Sequence, residues 1–239
     1  MIRSLLKTKR QQFKEIVQSN DLRLDYKTNK AVLLILKEVF LERTYADYFP
    51  FYEAATIVDI GAHYGFFTLF AAKNTDAQAR IYAFEPATAN FKRLQNNLKA
   101  HDLDHVVAEQ FAVSDQNGMV DIYLGRSENN SIFQRGEGAS ESVPAITLAE
   151  IFNRYQIDSI NFLKMDCEGA EYPILFQLPE NLFQKIQTIS LEFHDLKKQS
   201  YTGLALSRFL QKQGYQIVKF NHGRSTQNNN YGWIIATRM

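Results

Sequence analysis

Residues 56–67 constrain the fold of this chain more than any other stretch. They read T-I-V-D-I-G-A-H-Y-G-F-F, in which apolar and β-branched residues typical of a buried strand precede a turn bracketed by Gly61 and Gly65. The apolar residues after the turn predict a helix. A buried strand, a glycine turn and a helix form the first half of a nucleotide-binding βαβ unit. Glycine permits close approach of a ligand to the backbone, and the helix N-terminus offers N–H groups to an anion.

The glycine spacing distinguishes this turn from the dinucleotide fingerprint G-x-G-x-x-G, whose middle glycine admits a pyrophosphate. Here Asp59 precedes Gly61 by two residues, and an acid before G-x-x-x-G is typical of enzymes that use S-adenosylmethionine. That ligand has a carboxylate, an ammonium and a sulfonium but no phosphate, so it tolerates a nearby acid. Asp59 and the turn are therefore predicted to hold its methionine part, through Gly61, Ala62, His63 and Gly65. A turn with only a structural role is the alternative.

A second predicted strand, residues 79–84, ends at Glu85 and Pro86. Glu85 follows the glycine turn by about twenty residues, the separation at which an acid meets the ribose hydroxyls. A carboxylate accepts hydrogen bonds from both hydroxyls, so we expect Glu85 to bind the ribose. Pro86 ends the strand beside it and fixes the direction in which the chain leaves the site. The alternative is a surface glutamate at the end of a strand.

The segment Phe111–Asp115 follows a predicted helix, 88–100, and a third strand around 105–110. A loop after the third strand of such a fold lies near the adenine. A backbone N–H of Ala112 or Val113 is predicted to bind a ring nitrogen, and Ser114 or Asp115 to accept from the amino group. The sequence D-Q-N-G at 115–118 is equally typical of a hairpin turn, and this alternative stays open.

Acidic residues follow two further predicted strands. The stretch I-N-F-L-K-M-D-C-E-G-A-E (160–171) delivers Asp166, Glu168 and Glu171 to a strand end, and the strand 186–193 brings Glu192 and His194 to the same edge. Open α/β sheets bind ligands outside the carboxyl ends of their strands. Like charges repel, so stability alone does not account for three acids there. A sulfonium, a metal ion or a proton-transfer step would, with at least one acid capping the next helix.

The remaining pattern predicts one domain over residues 1–239, with an N-terminal helical extension (1–52) and a core (53–239) interrupted by an insertion (118–147). Helices are expected at 1–19, 30–44, 148–155 and 204–213, the third opened by a capping box of Thr147 and Glu150. Short strands at 120–124 and 142–147 enclose a polar loop, 125–140, and strands at 215–220 and 231–237 form a last antiparallel pair. The N-terminal helices are expected to cover the ligand site or one sheet edge.

The composition limits the classes of partner that the chain is expected to bind. The net charge of +1 over 239 residues gives no basic footprint for a nucleic acid. A single cysteine, Cys167, excludes an internal disulfide and fits a reducing compartment. The N-terminal residues carry charges where a signal peptide needs an apolar run, and no apolar run is long enough to span a bilayer. We therefore expect a cytoplasmic protein without stable membrane insertion; the oligomeric state is left open.

The motifs together resemble those of the FkbM family of S-adenosylmethionine-dependent methyltransferases. The matching stretches are 58–67, 82–86, 111–115, 163–171 and 191–194, of which K-x-D-x-E-G-x-E is the most specific. The resemblance implies an α/β, Rossmann-like class I fold, with a seven-stranded, mostly parallel sheet in the order 3-2-1-4-5-7-6 and helices on both faces. It implies methyl transfer to a hydroxyl of a small-molecule or glycoconjugate acceptor: a sugar, a glycolipid or a secondary metabolite. The N-terminal helices and the 125–140 loop match no family pattern, and we expect them to select the acceptor.

For O-methyl transfer, a hydroxyl must lose its proton as it attacks. His194 is the first candidate for the general base and Asp166 the second. In an alternative scheme, Asp166, Glu168, Glu192 and His194 hold Mg²⁺, which lowers the pKa of the hydroxyl; we favour the metal-free scheme. Two other functions compete: a nicotinamide-dependent oxidoreductase, disfavoured by the missing glycine, and a non-catalytic cofactor-binding protein.

Overall fold

The computed structural model describes residues 9–26, 30–124, 130–131, 139–196, 200–222 and 231–238. Helices in the described chain are α1 (Lys9–Ser19), α2 (Lys30–Leu36), α3 (Phe66–Asn74), α4 (Thr88–Ala100), α5 (Leu148–Arg154), α6 (Glu171–Phe176), α7 (Glu180–Phe183) and α8 (Gly203–Lys212). Strands are β1 (Thr56–Ile60), β2 (Arg80–Phe84), β3 (Val107–Glu109), β4 (Ala112–Ser114), β5 (Gly118–Leu124), β6 (Asn130–Ser131), β7 (Ser140–Thr147), β8 (Ile160–Met165), β9 (Ile186–His194), β10 (Gln216–His222) and β11 (Tyr231–Thr237).

Seven of these strands form the main sheet, in the order β10-β11-β9-β8-β1-β2-β3. When the strands of this sheet are counted alone, the order is the expected 3-2-1-4-5-7-6; the chain-wide numbers differ because a second sheet intervenes. β11 runs antiparallel to both of its neighbours, and the pairs among β9, β8, β1, β2 and β3 are parallel. The carboxyl ends of β1, β2, β8 and β9 therefore meet at one edge, where a ligand site is expected.

The insertion forms a second, four-stranded sheet in the order β4-β7-β5-β6. β4 pairs parallel with β7, and β5 pairs antiparallel with the other edge of β7. Residues 112–114 are thus a strand and not a loop, and residues 115–118 do not join neighbouring strands as a hairpin turn would. Most of the predicted 125–140 loop lies outside the described residues.

Both faces of the main sheet are covered, because every residue of β1 is buried. Val58 and Ile60 face one apolar cluster, and Ile57 faces the other. This alternation follows from the two-residue period of a strand. A strand buried on both sides reads as a continuous apolar run, as residues 56–60 do, with Asp59 as the exception.

The N-terminal extension packs against α3 on one face of the sheet. The ring of Phe49 lies 5.3 Å from those of Phe70 and Phe162 and 6.2 Å from that of Phe67, measured between centroids. The predicted helix 30–44 is α-helical only to Leu36 and continues as a π-helical turn, Lys37–Leu41. Such turns are rare and often lie at functional sites. The extension is therefore part of the core beside the strand tips.

Only half of the predicted capping box forms: the hydroxyl of Thr147 accepts a hydrogen bond from the N–H of Glu150 at 3.1 Å, whereas the N–H of Thr147 donates to Oδ1 of Asn117 at 2.8 Å. The helix it opens, α5, follows β7 directly and returns the chain from the second sheet to the main one. No helix in the described residues is both long and apolar enough to cross a bilayer.

Candidate active site

The glycine turn lies between the ends of β2 and β8. The N–H groups of Gly61 and Ala62 both donate to the carbonyl of Phe84 at 3.0 Å. Gly61 has a φ of +74°, and a Cβ built on it would lie 1.8 Å from the carbonyl oxygen of Asp166. Gly65 has a φ of +81° and directly precedes α3. Glycine is needed at both positions for left-handed backbone, and at Gly61 also for contact with the neighbouring strand end.

Asp59 lies beneath this turn and not on its surface. Its side chain is 0% exposed, its Oδ1 lies 3.1 Å from Nζ of Lys164, and its Oδ2 accepts from the hydroxyl of Thr68 at 2.7 Å. Asp59 and Lys164 are directly opposite on the paired strands β1 and β8. This burial disagrees with the expectation that Asp59 contacts the methionine part itself. Its carboxylate instead acts on the turn from below, through Lys164.

Glu85 also supports the turn. One carboxylate oxygen accepts from the N–H of His63 at 2.8 Å, and the other accepts from the N–H of Ala87 at 3.1 Å and from the side-chain amide of Asn90 at 3.2 Å. Burial raises the pKa of Glu85, and these hydrogen bonds and the charge of His63 act in the opposite direction. Glu85 thus joins the end of β2 to the glycine turn. Its contact with a ribose stays a prediction, as does the contribution of Pro86, whose carbonyl accepts from Gln110.

Of the residues predicted to contact the adenine, Ala112, Val113 and Ser114 are buried and Asp115 is half-buried. Ala112, Val113 and Ser114 form β4 and pair with β7. The hydroxyl of Ser114 donates to Oδ1 of the adjacent Asp115 at 3.0 Å. This local pair occupies the polar group that was expected to face the amino group of the base, and the adenine contact stays a prediction.

His194, at the end of β9, lies among three carboxylates. Its Nε2 is 3.3 Å from Glu168 and 3.4 Å from Glu192, and its Nδ1 is 3.5 Å from Glu171. Burial alone would lower the pKa of His194, but the hydrogen bonds to Glu171 and Glu192 and the surrounding negative charges raise it to about 12. At neutral pH the ring is therefore an imidazolium. A protonated ring cannot accept a second proton, so this environment disfavours His194 as the general base, and the assignment of the base stays a prediction.

The same charge state argues against the four-residue magnesium set. A histidine binds a metal through a neutral ring nitrogen, whereas Nε2 of His194 faces Glu168 and Glu192 as an ion-pair donor. In the described part of the chain, no group of three His, Cys, Asp or Glu side chains is arranged around one ion position. Within the set Asp166, Glu168, Glu192 and His194, the histidine is better described as a cation that neutralises neighbouring acids.

Glu171 carries the structural role expected of one acid. Its Oε1 accepts from the N–H of Cys167 at 3.2 Å, which links the first residue of α6 back to the turn before it. The side chain is fully buried. Its second contact, with Nδ1 of His194, fixes the orientation of the imidazolium toward Glu168 and Glu192.

Asp166 occupies the centre of the strand tips. Its N–H donates to the carbonyl of Ile60 at 3.0 Å, so its backbone lies beside the glycine turn. Burial is the main cause that raises the pKa values of Glu38, Tyr45 and Glu192, and the negative charge of Asp166 adds to each. Asp166 is half-buried, whereas Glu171, another of the acids predicted at the strand ends, is fully buried.

Three residues of this site escaped the sequence reasoning. Lys164 had a usable signal, since a lysine within an otherwise apolar strand needs a buried partner. Tyr45 and Glu38 belong to the N-terminal extension and had none. The Tyr45 ring centroid is 5.9 Å from Nζ of Lys164, and the charges of Glu192 and Asp166 act on Glu38. The extension therefore contributes to the site in addition to covering α3.

Comparison with known proteins agrees with this arrangement. Residues 59–217, more than half of the chain, match the methyltransferase FkbM domain. Methyltransferase 1 of Beauveria bassiana is 27% identical over 209 residues, which cover 78% of this chain and 82% of that protein. Methyltransferase sdnD of Sordaria araneosa is 28% identical over 191 residues, which cover 66% of this chain and 73% of that protein.

A solved structure shares the fold. The crystal structure of methyltransferase FkbM from Methylobacillus flagellatus superimposes with a TM-score of 0.53 and a sequence identity of 16%. The match covers 93% of this chain and 58% of that one, so the present chain spans little more than half of its length. At this identity, the likeness concerns the fold alone.

Proposed function

Because the chain belongs to the FkbM methyltransferase family, we propose that it transfers a methyl group from S-adenosylmethionine to a hydroxyl of a sugar, glycolipid or secondary metabolite. The family membership removes support for a nicotinamide-dependent oxidoreductase. The choice of donor and the oxygen acceptor are the parts of this proposal that need a direct test.

One observation carries the proposal. The tips of β1, β2, β8 and β9 bring the glycine turn, Glu85, Asp166 and the His194 cluster to one edge of the sheet. Ligands of open α/β sheets bind at this edge. A donor that combines an anionic carboxylate with a positive sulfur matches a helix N-terminus on one side and an excess of carboxylates on the other.

The chain's residues fit such a donor. The N-terminal end of α3, after Gly65, suits the carboxylate of the methionine part, and Glu85 suits the ribose hydroxyls. The carboxyl groups of Asp166, Glu168 and Glu192 lie near one another at the strand tips, and a cation bound there would favour their ionised forms. When bound, S-adenosylmethionine supplies a methyl group on a positively charged sulfur, which is the electrophile of the reaction.

Asp166 is the residue that we assign to the proton of the acceptor hydroxyl. It projects from the strand tip beside the turn, while His194 is held as an imidazolium by Glu168, Glu171 and Glu192. The cluster pairs His194 with Glu168 and Glu192, and Asp166 is only half-buried.

The test uses the unaltered protein and Asp166→Asn, which keeps the shape of the side chain and removes the base. Calorimetry with S-adenosylhomocysteine measures cofactor binding, and methyl-labelled S-adenosylmethionine with extracts of the source cells identifies the product. We expect Asp166→Asn to keep the Kd within about twofold while lowering the transfer rate about 10²–10⁴-fold, the usual contribution of a general base.

Three outcomes would count against the proposal. No heat with S-adenosylhomocysteine would exclude the assigned cofactor, and a labelled product methylated on nitrogen or carbon would exclude O-methylation. Binding without transfer to any component of the extract would support the non-catalytic alternative. An unchanged rate in Asp166→Asn would remove only the assignment of the base.

A further inference from the structure

We propose that Lys164 is the positioning residue of the cofactor turn: its buried ammonium, seated on Asp59, holds the Gly61 carbonyl and so fixes the peptide plane that faces the ligand. The inference rests on the proposed function for the identity of the ligand. The geometry of the turn itself does not depend on it.

The ammonium of Lys164 has a full set of acceptors. Nζ is 2.7 Å from the carbonyl oxygen of Gly61, 3.1 Å from Oδ1 of Asp59 and 3.5 Å from the carbonyl oxygen of Ile60. A lysine ammonium has three donors, and each of these atoms lies within reach of one. The first distance is the shortest, so the closest of these contacts is made to the glycine turn itself.

The peptide between Gly61 and Ala62 is fixed at both of its polar ends. Its carbonyl accepts from Lys164 at 2.7 Å, and its N–H donates to the carbonyl of Phe84 at 3.0 Å. Because a peptide unit is planar, two opposed hydrogen bonds set its rotation. Glycine populates positive and negative φ about equally, so Gly61 alone would not hold this plane. Lys164 supplies the restraint that the glycine lacks.

Burial explains why a lysine, and not a neutral donor, serves here. Lys164 is 4% exposed and Asp59 is 0% exposed, so each charge needs the other. Burial lowers the pKa of Lys164, but the charges of Asp59 and Asp166 outweigh this and raise it. The ammonium form, with its three donors, is therefore favoured at neutral pH. Asp59, which the sequence assigned to the ligand, acts as the counter-ion that holds Lys164 in place.

Tyr45 closes the pocket from the N-terminal side. Its buried ring lies 5.9 Å from Nζ of Lys164, at the outer range of a cation–π contact, and packs edge-on against Phe67 at 5.4 Å. The extension thus covers the ion pair that supports the turn. This contact links the residues before the core to the geometry of cofactor binding.

The experiment compares Lys164→Met, the double variant Asp59→Asn/Lys164→Met, and a control, Thr188→Val. The double variant removes both charges with little change of volume, and such replacements are often neutral for stability. Thr188 pairs with Thr237 at 3.1 Å near the opposite end of β9, so its loss weakens the fold away from the site. Urea unfolding measures stability, and hydrogen exchange of the 61–65 amides measures the turn without ligand. Calorimetry gives the Kd for S-adenosylhomocysteine.

If Lys164 positions the turn, both Lys164 variants exchange the 61–65 amides at least tenfold faster and bind S-adenosylhomocysteine at least tenfold more weakly. The double variant does so even though it recovers most of the stability lost in Lys164→Met. Thr188→Val loses stability with neither change. A double variant with the exchange rate and Kd of the unaltered protein would show that Lys164 only neutralises Asp59, and would overturn the proposal.

The two proposals can fail separately. An unaltered protein that does not bind S-adenosylhomocysteine defeats the proposed function, while the exchange measurement still decides whether Lys164 holds the turn. Normal binding by the unaltered protein, with a double variant that matches it, defeats only the positioning role.

Discussion

Replacement of Gly61 by alanine is the sharpest test of the geometry at the strand tips. Gly61 has a φ of +74°, and the added Cβ would lie 1.8 Å from the carbonyl oxygen and 2.8 Å from the carbonyl carbon of Asp166. Both contacts are with backbone, so no side-chain rotation relieves them. The turn or the end of β8 must move, and the residue that moves with it is Asp166.

The expected cost has two parts. A non-glycine residue in left-handed conformation costs about 1–2 kcal/mol, and an overpacked site costs about 1–3 kcal/mol, so Gly61→Ala should lower the free energy of unfolding by about 2–5 kcal/mol. At roughly 2–4 °C per kcal/mol for a chain of this size, the melting temperature should fall by about 4–20 °C. The fixed position of the backbone of Asp166 favours the upper part of this range.

Gly118→Ala provides a matched control. Gly118 also has a positive φ, +126°, but a Cβ there would have no atom within 4 Å in the described structure. This variant carries conformational strain without the collision and should lose about 1–3 kcal/mol. Thermal unfolding of both variants, with calorimetric titration of S-adenosylhomocysteine, separates the two contributions. If Gly61→Ala melts within about 2 °C of Gly118→Ala and binds the ligand normally, the close approach of β1 and β8 is wrong.

Two further predictions concern pH and capping. Burial raises the pKa of Glu168 to about 8 and of Glu192 to about 7, and hydrogen bonds raise that of His194 to about 12. The native state therefore binds more protons than the unfolded state above about pH 4.5, so the free energy of unfolding should fall as pH rises from about 5 to 9. In Glu168→Gln this decline should be shallower. Urea unfolding midpoints that rise with pH would contradict the prediction. Thr147→Ala removes the cap of α5 and should lower the free energy of unfolding by about 1 kcal/mol. The Kd for S-adenosylhomocysteine should stay unchanged. A loss of binding would mean that α5 is coupled to the site.

Most of the main sheet could be predicted because its signals are local or imply one another. The apolar run 56–60, the glycines at 61 and 65 and the strand end at Glu85 specify a βαβ unit by spacing alone. The insertion could not be assigned in the same way. β4 has only three residues and pairs with β7, which begins about thirty residues later in the chain, so no turn signal near 115–118 reveals the partner.

The residues that meet at the candidate site could be predicted from the sequence, but the protonation of its histidine could not. Spacing identified Asp166, Glu168, Glu192 and His194 as neighbours at the strand tips, and the ion pairs bear this out for the last three. The protonation of His194 depends on distances of 3.3–3.5 Å to three carboxylates from two elements. A sequence contains the residue types but not these distances. The pairing of Asp59 with Lys164, in place of the predicted contact between Asp59 and the ligand, likewise depends on strand register, which sets the two residues opposite each other.

These findings assign different tasks to the charged residues of the strand tips. Both cations are buried and already paired with acids. Lys164 is held by Asp59 beneath the turn, and His194 is surrounded by Glu168, Glu171 and Glu192. Asp166 and Glu38, both half-buried, add carboxyl groups that neither cation is paired with in the described contacts, and the pKa of Glu38 is raised to about 8. Like charges in a low-dielectric site raise one another's pKa, so this excess lowers the stability of the protein as pH rises. A fold that keeps such an arrangement is suited to a ligand that brings positive charge of its own. The predicted decline in stability with pH and the proposed binding of a cationic methyl donor therefore rest on one physical basis, the crowding of carboxyl groups at the strand tips.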